Sequence, residues 1–145
     1  MPVGRAKQLY RFQNASPTVS DHHHEGVMES ASSELAPILE SSTQSVYIYL
    51  DDSHRSCNKN FARMLGYNSP KEWASTGGNF PEVFVDPKSR SALVGAYRDA
   101  MEKAAGSTVE ITWRRKDGTS VKTRTMLVPF MHQGHALALH FIDEL

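Results

Sequence analysis

The sequence of 145 residues has one cysteine, Cys57, so no disulfide can form within the chain. This usage fits a reducing compartment, and we expect a cytoplasmic protein. No apolar run approaches the roughly 20 residues that a membrane helix needs, and the first residues lack a signal-peptide pattern. Sixteen basic residues balance sixteen acidic ones. The sequence therefore favours neither nucleic acid nor an anionic membrane as a partner.

The sequence also lacks the residue groups that carry common catalytic chemistry. It has no paired nucleophile and base, no glycine-rich phosphate loop and no closed set of metal ligands. His22, His23 and His24 are consecutive, but three adjacent side chains cannot all point one way on a regular element. No neighbouring cysteine or histidine completes a site for them. We therefore expect neither enzymatic activity nor a metal site.

The chain divides by composition into an N-terminal arm and one domain. Residues 1–29 are polar with scattered proline and glycine, which predicts a flexible arm, and residues 30–145 form the domain. A first helix is predicted from near Ser30 or Ser33 to about Ser41. Its apolar stripe consists of Leu35, Ile38 and Leu39. That stripe must be buried against the domain's own sheet or against a partner copy.

Two strands and a short helix follow this first helix. Residues 46–50 are β-branched or aromatic in alternation and predict a strand, and residues 54–57 predict a second, short strand. Asn58 is suited to cap the next helix, and Gly66 to end it. The buried stripe of that helix is predicted to be Phe61, Met64 and Leu65.

The middle of the chain is predicted to be helical. Ser69 is a cap for one helical turn, and residues 80–85 form an apolar segment of about one turn. Asp86 then caps the longest helix, predicted over residues 87–105 from its apolar spacing. Gly106 is predicted to end it.

The last forty residues are predicted to be three strands, over residues 108–115, 121–130 and 135–143. Asp117-Gly118 predicts a two-residue hairpin with positive φ at both central positions, and Gln133-Gly134 marks a second turn. Tight hairpins impose antiparallel pairing. The sequence therefore predicts an α+β fold, a five-stranded antiparallel sheet with helices on one face, preceded by a short amphipathic helix.

This order of elements, over residues 32–143, resembles the PAS domain, a sensor module of signalling proteins. The matching features are the strand at 46–50, Asn58, Gly66-Tyr67, Asp86-Pro87, Glu110 and the hairpin Arg115-Lys-Asp-Gly118. The resemblance implies a sensory module that binds a small molecule or another PAS domain and relays the change to an output domain or protein. We expect the chain either to be a fragment of a longer signalling protein or to act in trans, and the fragment is favoured because residues 141–145 resemble the point where PAS domains connect to an output helix.

Departures from the family pattern bear on the cofactor, which the sequence does not identify. Light-oxygen-voltage PAS domains carry a flavin-reactive cysteine in an Asn-Cys-Arg-Phe-Leu-Gln segment, which is absent here, while Cys57 lies at a strand end as a small core residue. Oxygen-sensing haem PAS domains take a histidine ligand from the long helix, yet no histidine lies between His54 and His132. Covalent flavin photochemistry and haem are therefore disfavoured. We expect His140 to be a hydrogen-bonded histidine beside Ala138.

A PAS-like fold places its pocket between the inner face of the sheet and the middle helices. Small-molecule binding there needs an apolar cavity with a few polar groups. The predicted lining is Ile48, Phe61, Met64, Leu65, Phe80, Phe84, Leu93, Tyr97, Met126 and Leu139. Alternation does not fix which strand residues face inward, and the alternative for the whole set is a filled core.

Both faces of the predicted sheet carry apolar residues, so a face not covered by helices would expose a large patch. We therefore expect a homodimer that buries Leu35, Ile38 and Leu39 together with the sheet face near Trp113. Two other functions stay open. One is a small cone-like enzyme of the ketosteroid-isomerase kind, which needs a buried acid or base, whereas Glu110 is predicted to be exposed. The other is a ligand-free dimerisation module.

Overall fold

The structure is a computed structural model that describes the backbone of residues 19–145 and the side chains of residues 23–145. Its helices are α1 (Val19–Glu34), α2 (Ala36–Ser41), α3 (Lys59–Met64), α4 (Pro70–Ser75), α5 (Phe80–Phe84) and α6 (Pro87–Lys103). Its strands are β1 (Ser45–Asp51), β2 (His54–Cys57), β3 (Ser107–Arg114), β4 (Ser120–His132) and β5 (His135–Glu144). They form one antiparallel sheet in the order β2-β1-β5-β4-β3. The predicted α+β fold class is confirmed.

The N-terminal helix is longer than predicted. Helix α1 begins at Val19 and ends at Glu34, and the separate short helix α2 follows with Pro37 in its first turn. The predicted helix start near Ser30 or Ser33 is therefore wrong, because the polar composition of residues 19–29 hid a helix that packs with few apolar side chains. Residues 1–18 of the predicted arm lie outside the described residues.

The predicted helix caps are largely confirmed. The side chains of Asn58, Ser69 and Asp86 each accept a hydrogen bond from a backbone N–H in the first turn of the following helix. Gly66 adopts a φ of 84° after α3, as predicted. Gly106 does not end the long helix. Ala104 takes the left-handed conformation there instead, with a φ of 50°.

The two hairpins in the C-terminal sheet use different turns. At β3–β4 only Gly118 has a positive φ, Gly118 N–H donates to Arg115 O at 2.9 Å, and Arg115 N–H donates to Thr119 O at 2.7 Å. These bonds define a three-residue loop in which a turn is followed by a left-handed glycine. The predicted positive φ at Asp117 is therefore wrong. Positive φ at both central residues of a two-residue hairpin occurs instead at Gln133-Gly134, with φ values of 51° and 79°.

Gly118→Val is expected to lower the free energy of unfolding by about 1 to 3 kcal/mol, because a β-branched residue is strained at positive φ. Gly118 has a φ of 90°, and a Cβ there would meet no atom within 4 Å, so strain alone is tested. Gly77→Val is the matched control, since Gly77 is equally open without a positive φ. Chemical denaturation measures both, and equal losses would contradict the assigned turn.

The β3–β4 hairpin packs against the end of helix α3. Lys116 N–H donates to Leu65 O at 2.8 Å, and the Arg115 guanidinium donates from Nε to Met64 O at 3.1 Å. These carbonyls belong to the last turn of α3, where no intrahelical donor is available. The hairpin therefore completes the C-terminal end of α3.

The sheet has a buried cluster on each face. The inner face packs against α3, α4, α5 and α6, and its largest buried side chains are Tyr47, Tyr49, Ile111, Trp113 and Leu127. The outer face carries the buried residues Val46, Ile48, Leu50, Leu137 and Leu139, which pack against Val27, Met28 and Ala31 of α1. Helix α1 thus covers the β1 and β5 part of the outer face.

Trp113 does not lie on an exposed sheet face. Its side chain is 0% exposed within the single chain, inside the inner cluster. The prediction that Trp113 contributes to a dimer interface is therefore wrong, because no surface of the ring is left for a partner. Strand β4 instead exposes Met126, Val128 and Met131, with exposed fractions of 43%, 40% and 68%.

Candidate functional site

Aromatic rings fill the space between the inner face of the sheet and helices α3 to α5. The ring centroid of Tyr47 lies 4.7 Å from Phe61, 5.6 Å from Trp73, 5.7 Å from Phe80 and 5.7 Å from Trp113. These separations are those of stacked and edge-to-face pairs. The rings stabilise one another and form the centre of the inner cluster.

The structure brings together most of the predicted pocket residues. Seven of them contribute to the inner cluster: Phe61, Met64, Leu65, Phe80, Phe84, Leu93 and Tyr97. Ile48, Met126 and Leu139 lie on the outer face, so their prediction as pocket residues is wrong. The alternation of β1, β4 and β5 leaves two apolar faces, and only the register and the helix positions show which faces inward.

Besides Arg55, whose Nε has no partner, three buried polar side chains in this region have atoms without hydrogen-bond partners among the described residues. They are His140 with both ring nitrogens, Tyr47 with its hydroxyl and Trp73 with its indole nitrogen. We call these three residues the core polar site. Tyr47 and His140 are directly paired across β1 and β5, and their rings stack with centroids 3.8 Å apart. Buried polar groups are nearly always paired, so this set is unusual.

His140 is neutral in the folded protein. Burial lowers its pKa from 6.5 to about 3, because an imidazolium would lose its hydration, and contacts with the backbone of Tyr47 and Ala138 oppose this shift only in part. His140 thus lies against Ala138 as expected, but neither ring nitrogen has a well-formed hydrogen bond among the described residues. The alternation around Leu139 places His140 on the inner face, and this is the signal that identifies it.

An acid lies at the edge of the same region. Asp52 is buried, accepts a hydrogen bond from the Tyr49 hydroxyl at 2.5 Å and accepts another from Phe80 N–H at 3.2 Å. Burial raises its pKa from 3.8 to about 7, and these hydrogen bonds and the charge of Arg55 only partly oppose it. Asp52 was not among the predicted site residues, and its only signal in the sequence is its position directly after β1.

Arg55 holds helix α4 against strand β2. Its guanidinium donates from Nη2 to Trp73 O at 2.7 Å and to Thr76 O at 2.6 Å, and from Nη1 to Asp52 O. The guanidinium carbon also lies 4.8 Å from the Trp73 ring centroid and 4.9 Å from that of Phe84. Cation–π contacts and three carbonyl acceptors thus hold this buried charge in place.

Two other predicted features are confirmed. Cys57 is buried, and burial raises the pKa of its thiol to about 12, which makes the reactive thiolate scarce. Glu110 is exposed, so it cannot supply the buried acid that an isomerase-like site needs.

A second polar cluster joins helix α1 to the β1–β2 hairpin. Asp51 accepts hydrogen bonds from His24 Nδ1 at Oδ2 and from His54 Nδ1 at Oδ1, each at 2.7 Å. Burial favours a higher pKa for Asp51, but the bonds from His54 and His24 outweigh it and lower that pKa below 3.8. No neighbouring histidine was available to His24 in the sequence, but His54, thirty residues away along the chain, is adjacent to it in space.

A cleft of about 420 Å³ lies between helices α2 and α3. Its lining includes Ser32, Leu39, Cys57, Asn60 and Arg63, and none of the predicted pocket residues. The cleft is therefore separate from the core polar site.

The sequence matches no family model and no curated protein. Solved PAS domains resemble the structure over most of its length. A PAS domain from a two-component sensor histidine kinase is 14% identical, with a TM-score of 0.60 over 81% of this chain and 98% of its own. The PAS domain of an HTR-like protein from Haloarcula marismortui is 20% identical, with a TM-score of 0.56 over 86% of this chain and 99% of its own.

A third similar structure carries a bound small molecule. It is the PAS-B domain of Cycle from Drosophila melanogaster with bound ethylene glycol, 13% identical, with a TM-score of 0.58 over 70% of this chain and 99% of its own. These likenesses show that the chain has the PAS fold. Within residues 19–145, no helix combines the length and apolarity needed to cross a membrane.

Proposed function

We propose that this PAS-fold chain is a non-enzymatic sensory module that binds a small polar molecule at the core polar site. The observation that supports the proposal is the set of buried atoms of His140, Tyr47 and Trp73 without partners among the described residues. An unpaired buried donor or acceptor costs about 1 to 3 kcal/mol. A ligand that supplies the missing partners recovers this free energy.

The chemistry of the core polar site favours an uncharged ligand with both donors and acceptors. Neutral His140 offers one donor and one acceptor, the Tyr47 hydroxyl offers both, and the Trp73 indole offers a donor. The burial that lowers the pKa of His140 also disfavours an ionic ligand. The ethylene glycol bound by the similar Cycle domain is a molecule of this uncharged, polar kind.

Binding requires aromatic rings to move, since they pack closely around Tyr47. Helices α3, α4 and α5, with six, six and five residues, supply Phe61, Trp73 and Phe80. Helices this short gain their stability from packing rather than from their own hydrogen bonds. We therefore propose that these helices open to admit the ligand.

The proposed relay runs through strand β1 to helix α1. Tyr47 faces the core polar site, while its neighbours Val46 and Ile48 face outward against α1. A shift of Tyr47 on ligand binding moves the same strand that supports α1. Helix α1 is thus the proposed output element toward a partner domain or protein.

Native mass spectrometry of freshly purified protein, with its absorbance spectrum, tests the proposed function. We expect a bound small molecule, and we expect ligand addition to change the fluorescence of the two tryptophans, which both lie in the aromatic cluster. His140→Phe keeps the stacked ring but removes both nitrogens, so it should abolish binding. His132→Phe, outside the site, is the control. Protein without bound mass that responds to no uncharged polar compound would favour the ligand-free dimerisation module.

We further propose a homodimer formed by the outer face. The side chain of Ile38 on α2 is 37% exposed, while Leu35 and Leu39 are partly buried against the outer cluster. Met126 and Val128 of β4 are also exposed on that face, beside the partly buried Phe141. Exposed apolar side chains on one face of a sheet are typical of an interaction site.

Ile38→Asp and Val128→Asp are expected to shift the dimer toward monomer, because each buries a charge without a partner at the interface. Lys103→Glu is the control, since Lys103 is exposed at the end of α6, which covers the opposite face of the sheet. Sedimentation velocity at several concentrations measures the association. A wild-type protein that stays monomeric at high micromolar concentration would refute the dimer.

A further inference from the structure

The cluster of His24, Asp51 and His54 has the composition and spacing of a metal site. Each residue offers one ligand atom, and the three atoms all lie within 4.8 Å of one another. Two imidazole nitrogens and one carboxylate oxygen are the donors that late divalent transition metals favour, and three protein ligands leave a position open. None of the three residues belongs to the core polar site.

A further hydrogen bond fixes one ligand of the cluster, and two more imidazole rings lie beside it. Asp51 and His54 are buried, and Ser53 N–H donates to Asp51 Oδ1 at 2.9 Å, which fixes the carboxylate. The ring centroids of His23 and His135 lie 4.9 Å apart, and that of His135 lies 4.9 Å from His24. Ligands held by further hydrogen bonds are typical of metal sites.

The present contacts are hydrogen bonds, and the change needed to bind a metal is small. Each Asp51 oxygen lies 2.7 Å from an imidazole nitrogen. Around a tetrahedral Zn²⁺ with bonds of about 2.0 to 2.1 Å, ligand atoms lie about 3.3 Å apart. The two nitrogen–oxygen separations must therefore widen by about 0.6 Å, while the ligand atoms farthest apart, which lie within 4.8 Å of each other, must approach by up to about 1.5 Å, with loss of the bridging protons. Rotation of the His24 side chain, which is 23% exposed, supplies this movement.

We propose that His24, Asp51 and His54 bind a divalent transition metal ion of the Zn²⁺ class, with water or His135 as the fourth ligand. Such an ion joins helix α1, through His24, to both strands of the β1–β2 hairpin. Metal binding would therefore stabilise α1 on the sheet and add a second input to the element that the proposed function uses for output. The metal site rests on its own residues and does not depend on the core ligand.

Isothermal titration calorimetry of the metal-free full chain with ZnCl₂ tests the proposal. We expect one equivalent of Zn²⁺ to bind, and a rise in the midpoint of thermal unfolding with it. His24→Gln and His54→Gln each remove a ligand. Their affinities should fall by at least the roughly 100-fold that loss of an outer-shell partner costs. Titration with Co²⁺ should give the visible absorption bands of a tetrahedral ion in the wild type and in neither of these two variants.

The controls separate this site from the histidine run. His132→Gln is the matched control, because His132 lies 2.9 Å from Ser30 of α1 but outside the cluster, so its affinity should equal that of the wild type. If His54→Gln binds Zn²⁺ as tightly as the wild type, the run at residues 22–24 holds the ion and the proposal is wrong. Absence of stoichiometric binding by the wild type also overturns it. Should His54→Gln fail to fold, as judged by circular dichroism, His22→Gln decides, because it shortens the run but keeps all three proposed ligands, so its affinity should equal that of the wild type and a loss would overturn the proposal.

Discussion

Trp113→Ala is expected to lower the free energy of unfolding by about 3 to 5 kcal/mol, the cost of removing a large aromatic side chain from a packed core. Trp113 is fully buried, and its ring centroid lies 5.4 Å from Phe61 and 5.7 Å from Tyr47. Its indole Nε1–H also donates to Thr123 Oγ1 at 2.9 Å, and the substitution leaves that hydroxyl without its donor.

Met126→Ala is the control for this prediction. Met126 lies on the outer face of β4 and is 43% exposed, so its truncation should cost less than about 1 kcal/mol. Urea denaturation measures both variants. A loss below about 1 kcal/mol for Trp113→Ala would mean that the ring is not part of the core.

Asp52→Asn is expected to change how stability depends on pH. Burial raises the pKa of Asp52 in the folded state to about 7, from 3.8 in the unfolded chain. Between these values the folded state holds a proton that the unfolded state releases, so the contribution of Asp52 to stability falls as pH rises and is lost above about 7. Asparagine does not titrate, so the substitution removes this pH-dependent contribution to stability. The stability of the variant relative to wild type should therefore increase by about 4 kcal/mol between about pH 4 and pH 8.

The titration of His140 changes the free energy of unfolding in the opposite direction over much of the same pH range. Its folded pKa is about 3 and its unfolded value is 6.5, so its contribution rises with pH between them. In the wild type the two opposite pH dependences of the free energy of unfolding should partly cancel. In Asp52→Asn the free energy of unfolding should rise with pH, because only the contribution of His140 is left. His140→Phe should retain only the fall from Asp52. Chemical denaturation at a series of pH values measures all three proteins, and a pH-independent difference between Asp52→Asn and wild type would show that Asp52 is ionised in the folded state.

Features set by a few neighbouring residues were predicted well. Asn58, Ser69 and Asp86 cap their helices because a short polar side chain reaches the N–H groups of the turn that follows it. Gly66 adopts a positive φ for an equally local reason. The β3–β4 turn was placed correctly, but its type was not, because loop length and strand register together select the turn.

The inward face of the sheet was not predictable from alternation. Residues 46–50 of β1 are all buried, since the helices α3 to α6 cover one face and α1 covers the other. A strand buried on both sides has no polar face to mark its orientation. Ile48, Met126 and Leu139 were therefore assigned to the pocket, and Trp113 to a surface.

The sequence by itself determined the order of elements from β1 onward, the antiparallel pairing and the PAS-like fold, because caps, turns and strand alternation are local and act over a few residues. Only the tertiary structure decided which polar groups meet. His140 reaches Tyr47 across two strands that lie ninety residues apart, and His24 reaches His54 from a helix whose apolar content is low. Such contacts depend on the summed packing of the whole chain rather than on any short segment, so both candidate binding sites became visible only in the folded protein.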